Sequence, residues 1–242
     1  MTRPALRQDS GSLGCIFDLS RTPVRELNQV LHRLAGTTNE RHWTILNPGG
    51  QHAIGVGVDA PVTIEVKGHA GYYCAGMNKQ STVIIEGNAG VGVAENMMSG
   101  FVHVRGDASQ SAGASAHGGT LLIDGNASAR CAISLKGADV IVKGNVGHVS
   151  AFMAQAGSLI VFGDAGENLG DSIYEAKLFV RGKVASLGSD CVEKDMTDAC
   201  KNELYAKLKA AGIAGEAGIS DFKRYGSARR LYNFHVDRAG EY

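Results

Sequence analysis

The stretch IEVKGHAG (residues 64–71) recurs, with changes, as VIIEGNAG (83–90), VHVRGDAS (102–109), LLIDGNAS (121–128), VIVKGNVG (140–147), LIVFGDAG (159–166) and LFVRGKVA (178–185). Each copy begins 19 residues after the one before it. Apolar residues tend to alternate with polar ones up to the glycine, which is the period of a strand with one buried face. Such a short repeat cannot bury its apolar face alone, so successive copies must stack as coils of a solenoid.

The glycine that follows each strand marks a turn and keeps its register along the chain. Eight turn glycines share the 19-residue interval: Gly49, Gly68, Gly87, Gly106, Gly125, Gly144, Gly163 and Gly182. The first coil, with Trp43 and Pro48, is atypical, as terminal repeats commonly are. The sequence therefore predicts a mainly β fold, a single-stranded right-handed parallel β-helix, since parallel crossovers prefer that hand. Seven steps of about 4.8 Å would give a rod about 34 Å long.

The residue after each glycine forms a second row. Its members are His69, Asn88, Asp107, Asn126, Asn145, Asp164 and Lys183. Asn and Asp suit turns, and stacked coils would let each side chain hydrogen-bond to the next coil. A calcium site is the alternative, because carboxylate and amide oxygens bind calcium. The ladder is favoured because only two members of the row are acidic.

Three regions are predicted along the chain. Residues 1–41 form an arm and a capping helix, residues 42–195 the β-helix of about eight coils, and residues 196–242 a helix and a docking tail. Thr22 and Pro23 have the pattern of a helix start. The apolar face of this first helix comprises Val24, Leu27, Val30, Leu31 and Leu34. We expect it to cover the open end of the first coil, with partner binding as the alternative.

The C-terminal region predicts a second helix, begun at Thr197 or Asp198 and ended by Gly212, which we expect to cap the C-terminal end of the β-helix. The tail beyond it mixes basic and aromatic residues. The candidate partner-interface residues are Arg224, Tyr225, Arg229, Arg230, Tyr232 and Phe234. This mixture also suits nucleic acid. A protein interface is favoured because Tyr and Arg are enriched at interfaces and because 24 Lys and Arg residues balance 24 Asp and Glu residues.

The composition argues against several classes of protein. No stretch is long and apolar enough for a membrane span and no export signal is present, so a cytoplasmic protein that binds neither membrane nor nucleic acid is expected. The five cysteines include no CxxC pair. Cys74 and Cys131 share a register three coils apart, about 14 Å, which is too far for a disulfide. They are expected to be buried free thiols.

No catalytic, cofactor-binding or metal-binding residue is predicted from the motifs. The run from Gly87 to Gly92 resembles a dinucleotide-binding loop, but that loop needs a helix opening at its end, and here another coil follows. His103, His117 and His148 fall in different registers, so they form no row of metal ligands. An independent β-helix enzyme acting on polysaccharide would need grouped catalytic side chains, which the sequence does not show.

Three further segments carry a family resemblance. They are GYYCAGMN (residues 71–78), GDSIYEA (170–176) and YGSARRLYNF (225–234). With the glycine-centred coil, they resemble the GXGXG family, which includes the C-terminal β-helix domain of the glutamate synthase large subunit and one of the subunits of formylmethanofuran dehydrogenase. Within the family, the chain is most similar to the stand-alone middle subunit of N-methylglutamate synthases. The resemblance covers nearly the whole chain.

The resemblance implies a scaffold role in a complex. It implies two partner subunits, one amidotransferase-like and one glutamate-synthase-like that binds FMN and an iron–sulfur cluster, with the catalytic and cofactor residues on those partners. The complex would convert glutamate and methylamine to N-methylglutamate and ammonia. An equivalent subunit of an ammonia-using, glutamate-synthase-like amidotransferase is the alternative, and a formylmethanofuran-type scaffold is less favoured because the tail at residues 232–237 resembles the amidotransferase-linked branch.

Overall fold

The computed structural model describes residues 7–8, 14–34, 39–216 and 218–230, and its centre is one twelve-stranded sheet. The strands are β1 (Arg7–Gln8), β2 (Gly14–Asp18), β3 (His42–Leu46), β4 (Thr63–Val66), β5 (Thr82–Ile85), β6 (Phe101–Val104), β7 (Thr120–Ile123), β8 (Lys136–Val142), β9 (Ala156–Val161), β10 (Lys177–Val180), β11 (Cys191–Lys194) and β12 (Lys223–Ser227). The helices are α1 (Val24–Leu31) and α2 (Asp198–Ala210), with 3₁₀ turns at Ala214–Glu216 and Ile219–Asp221.

The predicted parallel β-solenoid is confirmed. Strands β2 to β10 pair in parallel in chain order, and from β4 onward each strand pairs with the next at an offset of 19 residues, as Thr63 does with Thr82. A second side of each coil contributes one bridge, in a line that runs from Ala70 to Val184. Successive coils are therefore hydrogen-bonded on more than one side.

The first coil does not share the 19-residue register. His42 of β3 pairs with Thr63 of β4, an offset of 21 residues. Gly49 lies in a turn, with φ of 54°. Because Ile45 pairs with Val66, the residue whose position in the coil corresponds to that of Gly68 is Asn47, not Gly49. The extra residues around Pro48 enlarge this turn, which explains why the sequence interval of Gly49 does not report its position in the coil.

The third side of each coil has a backbone in which alternate residues adopt left-handed φ. In the coil after β4 these are Tyr73, Ala75 and Met77, with φ between 53° and 61°. Their N–H groups point alternately to the two neighbouring coils, since Ala75 donates to Ile54 O and Tyr73 to Val91 O. The middle position is Ala or Gly in every coil, at Ala75, Ala94, Gly113, Ala132, Ala151 and Gly170. A small residue fits there because this side of the coil lies against the core.

The core fills the inside of the solenoid. Two inward rows, the residues four and two before each turn glycine, are fully buried from Ile64 and Val66 to Leu178 and Val180. Cys74 and Cys131 are buried free thiols, as predicted, and burial raises the pKa of each to about 12. The interior is therefore mostly apolar, with a few buried polar side chains such as Asn78 and Ser81, which hydrogen-bond to each other.

Helix α1 covers the N-terminal end of the solenoid, as predicted. Leu27 and Leu31 are buried in the core. The Asn28 amide donates to Ala53 O and accepts from Gly55 N–H, and His32 Nε2 lies 2.6 Å from Val56 O. These bonds satisfy backbone groups of the first coil, which has no preceding coil to hydrogen-bond with on this side.

The C-terminal region differs from its prediction. Strand β12 runs antiparallel between β10 and β11, so residues 223–227, expected in a docking tail, are part of the solenoid sheet. Helix α2 covers the outer face of the later coils, where Leu204 and Leu208 pack on Ile141, Ile160 and Phe179. Strands β12 and β11, not the helix, therefore form this end of the solenoid.

Candidate functional site

The turn glycines are set by the close approach of successive coils. A Cβ atom added to Gly125 would overlap Asp107 Oδ1 and lie 2.8 Å from Gly106 O. The same overlap with the preceding coil occurs from Gly87 to Gly182. These six positions thus require glycine for space, since none of them has left-handed φ.

The residues after these glycines form the predicted ladder, here called the turn ladder (His69, Asn88, Asp107, Asn126, Asn145 and Asp164). Each side chain accepts a hydrogen bond from the backbone N–H of the residue 19 positions later, at 2.7–3.0 Å. The ladder prediction is confirmed. Among the described residues, no group of three or more His, Cys, Asp or Glu side chains could hold a metal ion.

A row of charged side chains runs beside the turn ladder, one residue before each glycine. Lys67, Glu86, Arg105, Asp124 and Lys143 alternate in sign. Within the row, Asp124 lies 3.6 Å from the Arg105 guanidinium and 2.9 Å from the Lys143 ammonium. Such pairs contribute modestly to stability, but a one-coil slip would place like charges together.

His103 joins this row from the outer face of β6. Its Nε2 lies 2.9 Å from Asp124 Oδ2, and the Phe101 ring contacts it edge-on. Burial lowers the pKa of His103, and the attraction of Asp124 only partly offsets this. Burial raises the pKa of Asp124, but hydrogen bonds from Lys143 and His103 outweigh it and hold the pKa below its ordinary value. A neutral His103 beside an ionised Asp124 is a satisfied structural contact.

The candidate interface residues do not share one surface. Tyr225 is 5% exposed and belongs to the core, which corrects its assignment to a docking surface: as the middle of β12, it points into the solenoid. Arg224 is half-buried on the opposite face of that strand, and Arg229 and Arg230 are exposed. Tyr232 and Phe234 lie outside the described residues. The interface role of the three arginines stays a prediction.

Two outer surfaces were not identified from the sequence. The position three before each turn glycine is apolar in the later coils, at Leu122, Ile141, Ile160 and Phe179. That row could have shown where α2 packs. On the earlier coils the side chains of Tyr72, Met77 and Met98 are 57%, 45% and 47% exposed. The Tyr72 ring stacks on His52 at 4.4 Å, so it is held in place.

Comparisons with known proteins identify the family of the chain. The chain is 56% identical to Protein GlxC of Rhizobium meliloti (strain 1021) over 227 residues, covering 94% of this chain and 99% of that protein. The chain therefore belongs to the same protein family as GlxC. No family model matches it. No helix in the described part of the chain is long and apolar enough to cross a membrane.

A solved structure has a similar fold. It is a chain in the crystal structure of the formyltransferase/hydrolase complex (FhcABCD) from Methylorubrum extorquens, determined with methylofuran. The likeness has a TM-score of 0.51 and covers 91% of this chain and 92% of that one, at 22% identity. At this identity the likeness establishes the fold alone.

Proposed function

We propose that this chain is a non-catalytic scaffold subunit of a multi-subunit enzyme complex. The observation that carries the proposal is the uninterrupted stack of coils, bonded at the strand, at the bridge line and along the turn ladder. Elements paired on several sides resist bending, so the two ends of the rod keep a fixed separation. Fixed geometry between active sites can raise rates without contributing chemistry.

The complex we propose is an N-methylglutamate synthase. The support is the resemblance of segments 71–78, 170–176 and 225–234 to the middle subunits of such enzymes. The partners would be an amidotransferase-like subunit and a glutamate-synthase-like subunit that carries FMN and an iron–sulfur cluster. The solenoid would hold both so that the amine passes between their active sites, and it would work in the cytoplasm.

A pull-down from the native host tests the proposal. The tagged chain is recovered under native conditions, its partners are identified by mass spectrometry, and the eluate is examined by visible spectroscopy. We expect an amidotransferase-like chain and a flavin and iron–sulfur chain in near-equal amounts, while the tag alone recovers neither. The eluate should form N-methylglutamate from glutamate and methylamine. A colourless chain recovered without stoichiometric partners would contradict the scaffold role.

The same material separates the alternatives. Formation of glutamate with ammonia, and no reaction with methylamine, would replace the proposed reaction by that of a glutamate-synthase-like amidotransferase. Partners resembling a formyltransferase or hydrolase would instead identify the complex as one of the FhcABCD type, whose chain has the fold described above.

A further inference from the structure

A groove of about 270 Å³ lies at the C-terminal end of the sheet, beside the neighbouring strands β10, β12 and β11. Four cationic side chains line it, those of Lys177, Lys194, Arg224 and Arg229. The acidic side chain in its lining is that of Glu175. An excess of positive charge in a concave surface favours an anionic ligand.

Two of these cations are already neutralised. Lys177 Nζ lies 2.6 Å from Glu203 Oε2, and the Arg229 guanidinium lies 2.8 Å from Glu175 Oε2. No carboxylate of a described residue lies within ion-pair distance of Lys194 or Arg224. Among the residues that the structure describes, the uncompensated charge of the groove therefore belongs to these two side chains.

Their placement is unfavourable without a ligand. Lys194 and Arg224 are directly paired across β11 and β12, and like charges opposite each other destabilise a sheet. Arg224 Nη1 lies 3.4 Å from Asp195 O, but its Nε is buried, with no hydrogen-bond acceptor among the described residues. A buried donor without an acceptor is costly, and an anion between the two side chains would remove both penalties.

The floor of the groove is open because of Gly226. A Cβ atom added there would lie 3.8 Å from Ala176 O and 3.9 Å from Lys194 Cγ, which are ordinary contacts. This glycine is unlike the turn glycines, since a Cβ atom would fit. The lack of a side chain at Gly226 leaves room beside Arg224 and Lys194.

We propose that this groove is a carboxylate-binding site in which Arg224 and Lys194 hold one carboxylate group. The edge of a guanidinium matches a carboxylate through two parallel N–H donors, and Lys194 supplies the second charge. The inference does not rest on the scaffold role. The carboxylate comes either from a small free acid or from an acidic side chain of another protein chain.

The test for a free acid is a nuclear magnetic resonance titration of the full chain with acetate, succinate and L-glutamate at constant ionic strength. The amides of Gly226 and Ser227 and the Arg224 Nε–H should shift and saturate. Lys194→Gln should weaken binding at least tenfold, and Gly226→Leu should abolish it, with the folding of both variants checked by circular dichroism. Lys209→Gln, on the exposed side of α2, is the charge-matched control and should leave binding unchanged.

The test for a protein-borne carboxylate is carbodiimide cross-linking of the native complex, which joins a lysine amine directly to a carboxylate. A cross-link from Lys194 to an Asp, a Glu or a chain terminus of another polypeptide would support the site in its second form. Absence of both a saturable shift and this cross-link would overturn the proposal. So would saturation by phosphate but by no carboxylate, or equal binding by the Gly226→Leu variant.

Discussion

At the scale of the residue, the spacing between coils decides which side chains are tolerated. The turn glycine of one coil lies against the glycine carbonyl and the turn-ladder oxygen of the coil before it. A methyl group at this position would have no free volume, so it could be accommodated only if the backbone of the preceding coil were displaced. The glycine and the ladder residue thus act together. Because the glycine has no Cβ atom, the N–H of the residue that follows it can reach the ladder oxygen of the preceding coil.

Replacement of Gly125 by alanine should therefore destabilise the protein. We expect a loss of about 1–3 kcal/mol, the usual cost of overpacking. Gly215→Ala is the matched control, because a Cβ atom there meets nothing within 4 Å. Chemical denaturation of both variants measures the difference. Equal stability of the two variants would show that the coils can separate to admit a methyl group.

At the scale of the element, the outer face of the sheet explains where α2 lies. Its buried leucines contact the apolar outer row of β7 to β10, and two ion pairs fix its polar margin: Lys207 to Asp139 at 2.7 Å and Lys177 to Glu203 at 2.6 Å. The Thr197 side chain caps the first turn by accepting from Cys200 N–H. The helix is thus held by the solenoid more than by its own propensity.

Leu208→Ala should loosen this contact. Leu208 has no exposed surface, so its truncation should cost about 2–5 kcal/mol. Tyr205→Ala on the same helix is the control, since Tyr205 is 49% exposed and a surface change should stay within about 0.5 kcal/mol. Hydrogen exchange should show faster exchange in α2 of the Leu208 variant. Protection as strong as in the parent chain would mean that the helix is held by its ion pairs alone.

The predictable part of the structure is the part that repeats. A fixed interval aligns Val66 with Ile85 and the residues after them, so the coil, its inward rows and the turn ladder could all be predicted. The interval says nothing about segments that occur once. The place of β12 depends on pairing with β10 across more than forty residues of chain, and that pairing leaves no periodic signal. The basic and aromatic composition around Tyr225 consequently predicts a surface position for a residue that is buried.

At the scale of the whole molecule, the parallel stack of the solenoid is flanked at each end by an antiparallel pair of strands. Strand β1 pairs antiparallel with β2, and β12 pairs antiparallel with β10 and with β11, so the edges left at the two ends of the sheet are those of β1, with two residues, and β11, with four. Edge strands this short limit end-to-end association. The rod can therefore have a defined length.

Removal of one whole coil, residues 88–106, should shorten the rod without unfolding it. Every remaining strand keeps its register, and the length should fall by about 4.8 Å. Removal of residues 88–105, one residue fewer, leaves an extra residue in the turn, where the ladder hydrogen bond can no longer form in register, and should lower the stability below that of the whole-coil deletion. In the proposed complex, the shortened rod should still bind its partners but should lower the coupled turnover. Circular dichroism measures the folding of each variant, and the coupled assay measures turnover. Full turnover with the shortened rod would show that spacing is not its role.

The insertion of β12 between β10 and β11 has a consequence for biosynthesis. During translation, β10 and β11 leave the ribosome before β12, the strand that pairs with both of them. The edge of β10 therefore stays unpaired until residues 223–227 have been synthesised. Completion of the sheet is thereby tied to the synthesis of nearly the full chain. A product terminated before residue 223 would keep an unpaired parallel edge, and quality-control proteases and chaperones could distinguish it from the finished protein.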